Sequence, residues 1–400
     1  MFGRLATTGP PSLSPVEPTS AATRCVRGWV RSALVAEAGG VVEPATSAPL
    51  PPRPEAVAAV VRQRVVELVH VQAAVLGLPD ELVEELGQIR SATRSLVPLQ
   101  LIELSAVRRL LEDLDVPHLV FKGPALAVQT TGDVGARGFG DLDVLVDPRS
   151  VERVATELLA RGWSSAEPLP SPGSWAWRRM VQSGHELPFI GASCSVDLHW
   201  RLDPTLDALP SFPVLWERRE VVELGGSPTP TLGRRDALSH ACLNARKDRW
   251  RWLRSLVDIH RLARLDGAWE AFEPGRLELA ALALADAQVG LPDGLPAAVR
   301  DSIARLSPRA LDRLISSAQR AQVQPVRTRQ DAHGSATRQI LRYQLVASRS
   351  PRDVRRAAGA LLLPGRSVAG VDATSAWTGV PVGLGIRVGG LVRRAAGRMR

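Results

Sequence analysis

Lysine is almost missing from this chain. Of its fifty basic residues only Lys122 and Lys247 are lysines, and Asn244 is its single asparagine. A sequence so biased toward arginine keeps lysine where a compact ammonium does something a planar guanidinium cannot. Cysteine is scarce as well. Cys25, Cys194 and Cys242 stand far apart, which excludes finger-type metal spacing and a disulfide framework and leads us to expect a reducing, cytoplasmic setting. No apolar run approaches the roughly 18 residues of a membrane span. The opening residues lack the apolar core of a secretory signal.

Basic charge is missing from most of the chain, despite a net charge of +9. Val346–Arg400 holds ten Arg and two Asp, and Met1–Glu55 holds five Arg and four Glu, so the body between them is neutral. A neutral body removes most of the argument for a dedicated nucleic-acid-binding fold and leaves the C-terminal tail as the place for any nucleic-acid contact.

The 400 residues, 45% of them apolar, suffice for about two domains. Residues 1–54, rich in Pro, Ala, Ser and Thr, read as a mostly disordered leader with a short helix near Val26–Ala38. Residues 55–114 carry helical periodicity, as in Val60, Val61, Val65, Leu68 and Val69. The period then changes. His118–Lys122 reads as a strand, and Gly123-Pro124 opens a helix. Asp147-Pro148 reads as the N-cap and first position of a helix from Glu152 to Ala160. Trp175–Val181 and His185–Ile190 read as strands, and Ser195–Trp200 alternates polar and apolar. This places an α/β core at 115–205, a helical domain at 206–347 and a basic, weakly structured tail at 348–400. The expected class is α+β.

Within that core, Arg137-Gly-Phe-Gly-Asp141-Leu-Asp143 runs from a glycine turn into an apolar strand. Strand side chains alternate, so Asp141 and Asp143 project from one face. Two carboxylates side by side repel unless a cation sits between them, and hard oxygen ligands suit Mg²⁺ or Mn²⁺. Asp197 brings a third carboxylate on a later strand. At the strand-to-helix turn Lys122-Gly123, backbone can approach a phosphate, and the helix N-terminus adds partial positive charge. A shared carboxylate pair with a third on one side is the asymmetry that two-metal phosphoryl chemistry needs.

Four segments carry a resemblance: Lys122-Gly-x-x-Leu-Ala, Arg137-x-x-Gly-Asp-x-Asp-x-Leu-Val, Val196-Asp-Leu-His-Trp, and Ala245-Arg-Lys-Asp-Arg-Trp-x-x-Leu with Asp258 beyond it. Together they resemble the polymerase-β-like nucleotidyltransferase superfamily, and more closely its bacterial branch of uncharacterised nucleotidyltransferases. The resemblance implies a small palm-like mixed-sheet core with flanking N-terminal helices and a C-terminal helical domain. It implies a Mg²⁺- or Mn²⁺-dependent enzyme that moves a nucleoside monophosphate from an NTP such as ATP to a hydroxyl of a small molecule, sugar, peptide or protein. Asp141, Asp143 and Asp197 would be the catalytic metal ligands. Lys122, Gly123, Arg137, Gly140 and Lys247 would hold the triphosphate. The chain departs from the superfamily in having Pro124 after Gly123, which removes one N–H donor, and Asn244 where the branch often has His.

Several neighbours have plainer readings. Arg137 would clamp a phosphate or pair with Asp141, and Asp258 would pair with a nearby Arg. His199 shares a strand face with Asp197 and would orient substrate or sit hydrogen-bonded in the core. Trp200 and Trp252 read as core. His240, Asn244 and Lys247 fall at i, i+4 and i+7, one polar stripe of a helix. Two other functions stay open on the sequence: an Asp-x-Asp glycosyltransferase using a nucleotide-sugar, and a non-catalytic nucleotide-binding or antitoxin-like partner.

Overall fold

A computed structural model describes residues 18–42, 50–165, 168–203 and 209–324, with the isolated positions 351 and 354. The expected basic tail, 348–400, lies outside the described residues apart from those two positions, as do residues 1–17 and 43–49 of the expected leader. The described chain begins with helices α1 (Ser20–Glu37), α2 (Arg53–Arg62), α3 (Val66–Val71), α4 (Asp80–Arg94) and α5 (Val97–Asp113). There follow β1 (His118–Phe121), α6 (Gly123–Thr131), β2 (Asp141–Val146), α7 (Val151–Ala160), β3 (Ser164–Ser165), α8 (Trp175–Ser183), β4 (Glu186–Ile190), β5 (Ser195–His199) and α9 (Phe212–Glu217). The remainder comprises β6 (Glu220–Leu224), β7 (Ser227–Thr231), α10 (Arg234–Lys247), α11 (Leu253–Ala263), α12 (Arg276–Val289), α13 (Ala297–Ala304) and α14 (Pro308–Val323). Among the described residues no helix is long and apolar enough to cross a membrane.

These elements form two compact units, each assembled from separated stretches of chain. One is built from the described parts of Met1–Ile102, Phe121–Gly140 and Glu220–Val326, the other from those of Glu103–Val120, Asp141–Arg219 and Arg327–Arg400.

The second unit carries the five-stranded sheet, in the order β1-β2-β5-β4-β3. β2 and β5 are parallel, β4 is antiparallel to β5, and β3 is antiparallel to β4. This mixed sheet with helices is the α+β class that the sequence predicts. In β2 only Asp141 is exposed, and the five residues after it are buried. Burial at every successive position marks a strand covered on both faces. Leu142, Val144, Phe189, Val196 and Leu198 form its core, each at most 1% exposed.

Two local expectations in this unit are corrected. Trp175–Ser183 is a helix rather than a strand, because Ser174 Oγ caps it by accepting from Trp177 N at 3.0 Å, and Trp175, Trp177 and Met180 then share its buried side. Asp147 does not cap α7, which starts after Ser150. Its Oδ1 accepts from Arg149 N at 2.8 Å and closes the turn before the helix.

The first unit is mainly helical, with α10, α11 and α12 packed on one another. Where the sequence reading began a helical domain, the unit adds a hairpin. Gly225 and Gly226, at φ 59° and 73°, join β6 to β7 in a two-residue turn that needs positive φ at both positions. Within the expected leader, the short helix read near Val26–Ala38 is the longer helix α1, Ser20–Glu37, packed on α2, α3 and α12. Thr19 accepts from Ala22 N at 3.1 Å as its N-cap, and Val26, Val30, Ala33 and Leu34 are fully buried.

Candidate functional site

β2 and β5 run in register, with Asp141 opposite Ser195, Asp143 opposite Asp197 and Leu145 opposite His199. Alternation therefore lines Asp141, Asp143, Asp197 and His199 along one face. Asp143 is 3% exposed and His199 is 1% exposed, with His199 Nε2 standing 3.0 Å from Asp143 Oδ1. Across β5, Glu186 of β4 is the register partner of His199. Its Oε2 lies 3.6 Å from His199 Nε2 and 3.2 Å from His185 Nε2.

Asp197 is partly buried, and its carboxyl is pushed up to about 6. Burial is the main cause. The negative charges of Glu186, Asp143 and Asp141 add to it, and His199 opposes them. A carboxylate so raised holds a proton closer to neutrality than an exposed aspartate does.

Asp143, Asp197 and His199 each offer a ligand atom within 4.8 Å of the others. A divalent ion with ligands at about 2.1 Å spans such a group after small side-chain adjustments. The two carboxylates suit Mg²⁺ or Mn²⁺. His199, already bonded to Asp143, suits the task of orienting that carboxylate. The donor chemistry thus fits a hard divalent cation. Asp141 stands outside this close group, exposed at the start of β2, though near enough to act on Asp197 electrostatically. Sequence reasoning missed Glu186, because its place opposite His199 follows from strand register that no spacing reveals.

The remaining expected residues lie in the first unit. Lys122 precedes α6 with φ 54°, and Gly123 follows at φ 34°. A lysine in the left-handed region is a strained position, and such strain gathers at functional sites. Lys247 ends α10, and next to it is Asp248. Burial raises the Asp248 carboxyl, while Lys247, Lys122, Arg64 and Arg254 pull it down. Both lysines of the chain therefore act on one carboxylate.

Arg137 is held by Asp258. Its Nε donates to Oδ1 at 2.9 Å and its Nη2 to Oδ2 at 2.9 Å, and the two side chains are 7% and 9% exposed. Asp258 thus pairs with an Arg, as the sequence reading allowed, and its partner is the residue expected on phosphate. The turn after Arg137 has two further supports. Arg254 Nη1 donates to Gly138 O at 3.1 Å and Gln100 Nε2 to Phe139 O at 3.0 Å. At Gly140 an added Cβ would meet nothing within 4 Å, so local space does not demand glycine there. His240 meets Phe121 edge-on, with ring centroids 5.3 Å apart.

The profile of a family described as "Uncharacterised nucleotidyltransferase" matches residues 53–285. A solved structure titled an antigenic nucleotidyltransferase-like protein from Paracoccidioides brasiliensis is 16% identical, covers 58% of this chain and 94% of its own, and has a TM-score of 0.28. No curated protein matches the chain.

Proposed function

Because the chain belongs to the family of uncharacterised nucleotidyltransferases, we propose that it moves a nucleoside monophosphate from an NTP to a hydroxyl acceptor. The observation that carries this reading is the register of Asp143 with Asp197 on parallel neighbours, with Asp141 two residues before on the same face. In this reading Asp141, Asp143 and Asp197 hold Mg²⁺ or Mn²⁺. When bound, a pair of such ions would neutralise the triphosphate and acidify the acceptor hydroxyl. Asp197, with its raised pKa, takes the proton that the hydroxyl loses. His199 keeps Asp143 in the orientation that ligation needs.

Lys122, Gly123, Gly140 and Lys247 are assigned to the triphosphate. Arg137, committed to Asp258, is assigned instead to holding the turn that leads into Asp141. The acceptor is a hydroxyl of a small molecule, sugar, peptide or protein, and a cytoplasmic place of action accords with an NTP as co-substrate.

The test is release of pyrophosphate from each NTP, with Mg²⁺ or Mn²⁺ and a cell extract as the source of acceptor. Asp143→Ala is expected to abolish metal-dependent release while leaving the far-UV circular dichroism unchanged. Release at the wild-type rate from that variant would sink the assignment.

A further inference from the structure

The chain between α10 and α11 is strained. Arg249 and Trp250 both stand at φ 60°. Arg249 N donates to Arg246 O at 2.8 Å and Trp250 N to Ala245 O at 2.9 Å, a helix ending that ordinarily takes glycine at its left-handed residue. Here an arginine fills that position and a tryptophan repeats the conformation. Two successive non-glycine residues stay left-handed only where their surroundings dictate it.

A group of glutamine side chains does the dictating. Gln63 at the end of α2 and Gln322 on α14 are fully buried, and Gln288 on α12 is nearly so. Gln322 Nε2 donates to Trp250 O at 3.3 Å and to Gln288 Oε1 at 2.7 Å. Gln322 is itself held, since Arg27 Nη2 donates to its Oε1 at 3.0 Å and Gln63 Nε2 to its backbone O at 3.0 Å.

Gln63 also closes the far end of the connection. The residue before α11, Trp252, provides no side-chain cap. Gln63 Oε1 accepts from Leu253 N at 2.9 Å, and Gln63 O accepts from Arg254 N at 3.2 Å. These are two of the N–H groups that a helix start leaves open. From α11, Arg254 then reaches Gly138 O and Asp258 holds Arg137. All of these residues belong to the first unit. Packing alone does not ask for amides here, because burying them is costly unless they are hydrogen-bonded. Their bonds select one geometry of the backbone they touch.

We propose that Gln63 and Gln322 are positioning residues. Gln322 fixes the connection that follows Lys247, and Gln63 fixes α11 and, through it, the turn that leads into Asp141. Being fully buried, neither is a substrate contact. The proposal rests on the nucleotidyltransferase reading, in which Lys247 meets the triphosphate.

Trypsin tests the mechanical part on the full chain, because Arg137 and Arg251 each precede a bond it can cut. Methionine is unbranched and close to glutamine in length but has no amide. Gln63→Met should be cut about tenfold faster than wild type after both Arg251 and Arg137, as lost hydrogen bonds raise the share of opened chain. Gln322→Met, which leaves the cap on α11 in place, should be cut faster after Arg251 and at the wild-type rate after Arg137. Cleavage after Arg305, outside the clamp, is the internal control. Should Gln63→Met fail to fold, Arg254→Met should speed cutting after Arg137 alone.

Pyrophosphate release tests the functional part: Gln322→Met should raise the KM for the NTP about fivefold or more with kcat little changed, as expected when ground-state and transition-state binding weaken together. Unchanged cutting after Arg137 in both Gln63→Met and Arg254→Met, or an unchanged KM in Gln322→Met, would overturn the proposal. If the wild type released no pyrophosphate, the enzyme reading would fall, and the clamp would stand or fall on the trypsin map.

Discussion

Arg137 and Asp258 show what a single pair of side chains decides. Both are almost wholly buried, and their hydrogen bonds are short and parallel. Breaking such a pair strands one charge out of water, at a cost of about 3–5 kcal/mol. Replacing both partners with apolar residues of similar size is often close to neutral. Arg137→Ala should therefore lower the unfolding free energy in urea by about that amount, and Arg137→Met with Asp258→Leu should recover most of it. A single variant as stable as wild type would show that the pair is not the support described here. The sequence singled out Arg137 because it stands four residues before Asp141. Its pairing with Asp258 was not legible, since the two lie 121 residues apart. Glu186 escaped for a similar reason: its neighbour His199 is set by antiparallel register.

At the scale of elements, the connection between α6 and β2 is clamped. Arg94 donates two hydrogen bonds to Asp133, at 2.9 and 3.0 Å, and a third at 2.7 Å to Glu67. Asp133 Oδ1 also accepts from Gly135 N at 2.9 Å. The hydrogen bonds from Arg94, and secondarily the one from Gly135, hold the Asp133 carboxyl below its ordinary value. A depressed folded-state pKa gives stability that is fully present above the unfolded value of about 3.9. It is lost as pH falls through the folded-state value. Asp133→Asn should therefore be less stable than wild type by a constant margin from about pH 5 to 7, and that margin should shrink below about pH 4. Urea unfolding at several pH values checks this; a margin that widens on acidification would refute it.

Helix α1 shows why some elements were read only in part: a short helix was expected near Val26–Ala38, and the element runs from Ser20 to Glu37. Its surroundings are rich in Pro, Ser and Thr, and that composition masked the first turns from Ser20, while the pattern of Val26, Trp29, Val30, Ala33 and Leu34 stayed readable. Contact with helices that include α2, α3 and α12 makes that pattern a buried face. The strand around Asp143 was legible for the opposite reason. A glycine turn, two carboxylates at i and i+2 and an apolar run agree on one structure, and local agreement of that kind is what makes an element readable.

For the whole molecule, the two units interleave along the chain, and periodicity cannot show this. A core cut at 115–205 looks self-contained in sequence, because all five strands of the large sheet lie inside it. It nevertheless omits α5, which belongs to that unit from Glu103 onward. Val107, Leu110 and Leu111 of α5 are buried, and the Glu103 carboxylate accepts from Ser193 N and from Cys194 N in the β4–β5 connection. It also omits Phe212 and Leu215 of α9, likewise buried. Each large apolar side chain lost from a core removes about 1.5–3 kcal/mol of burial. Five such losses exceed the margin by which most domains are stable. A purified 115–205 fragment should therefore lack a cooperative thermal transition by circular dichroism, where the full chain shows one. A sharp transition in that fragment would mean that α5 and α9 are accessories to the sheet rather than part of its core.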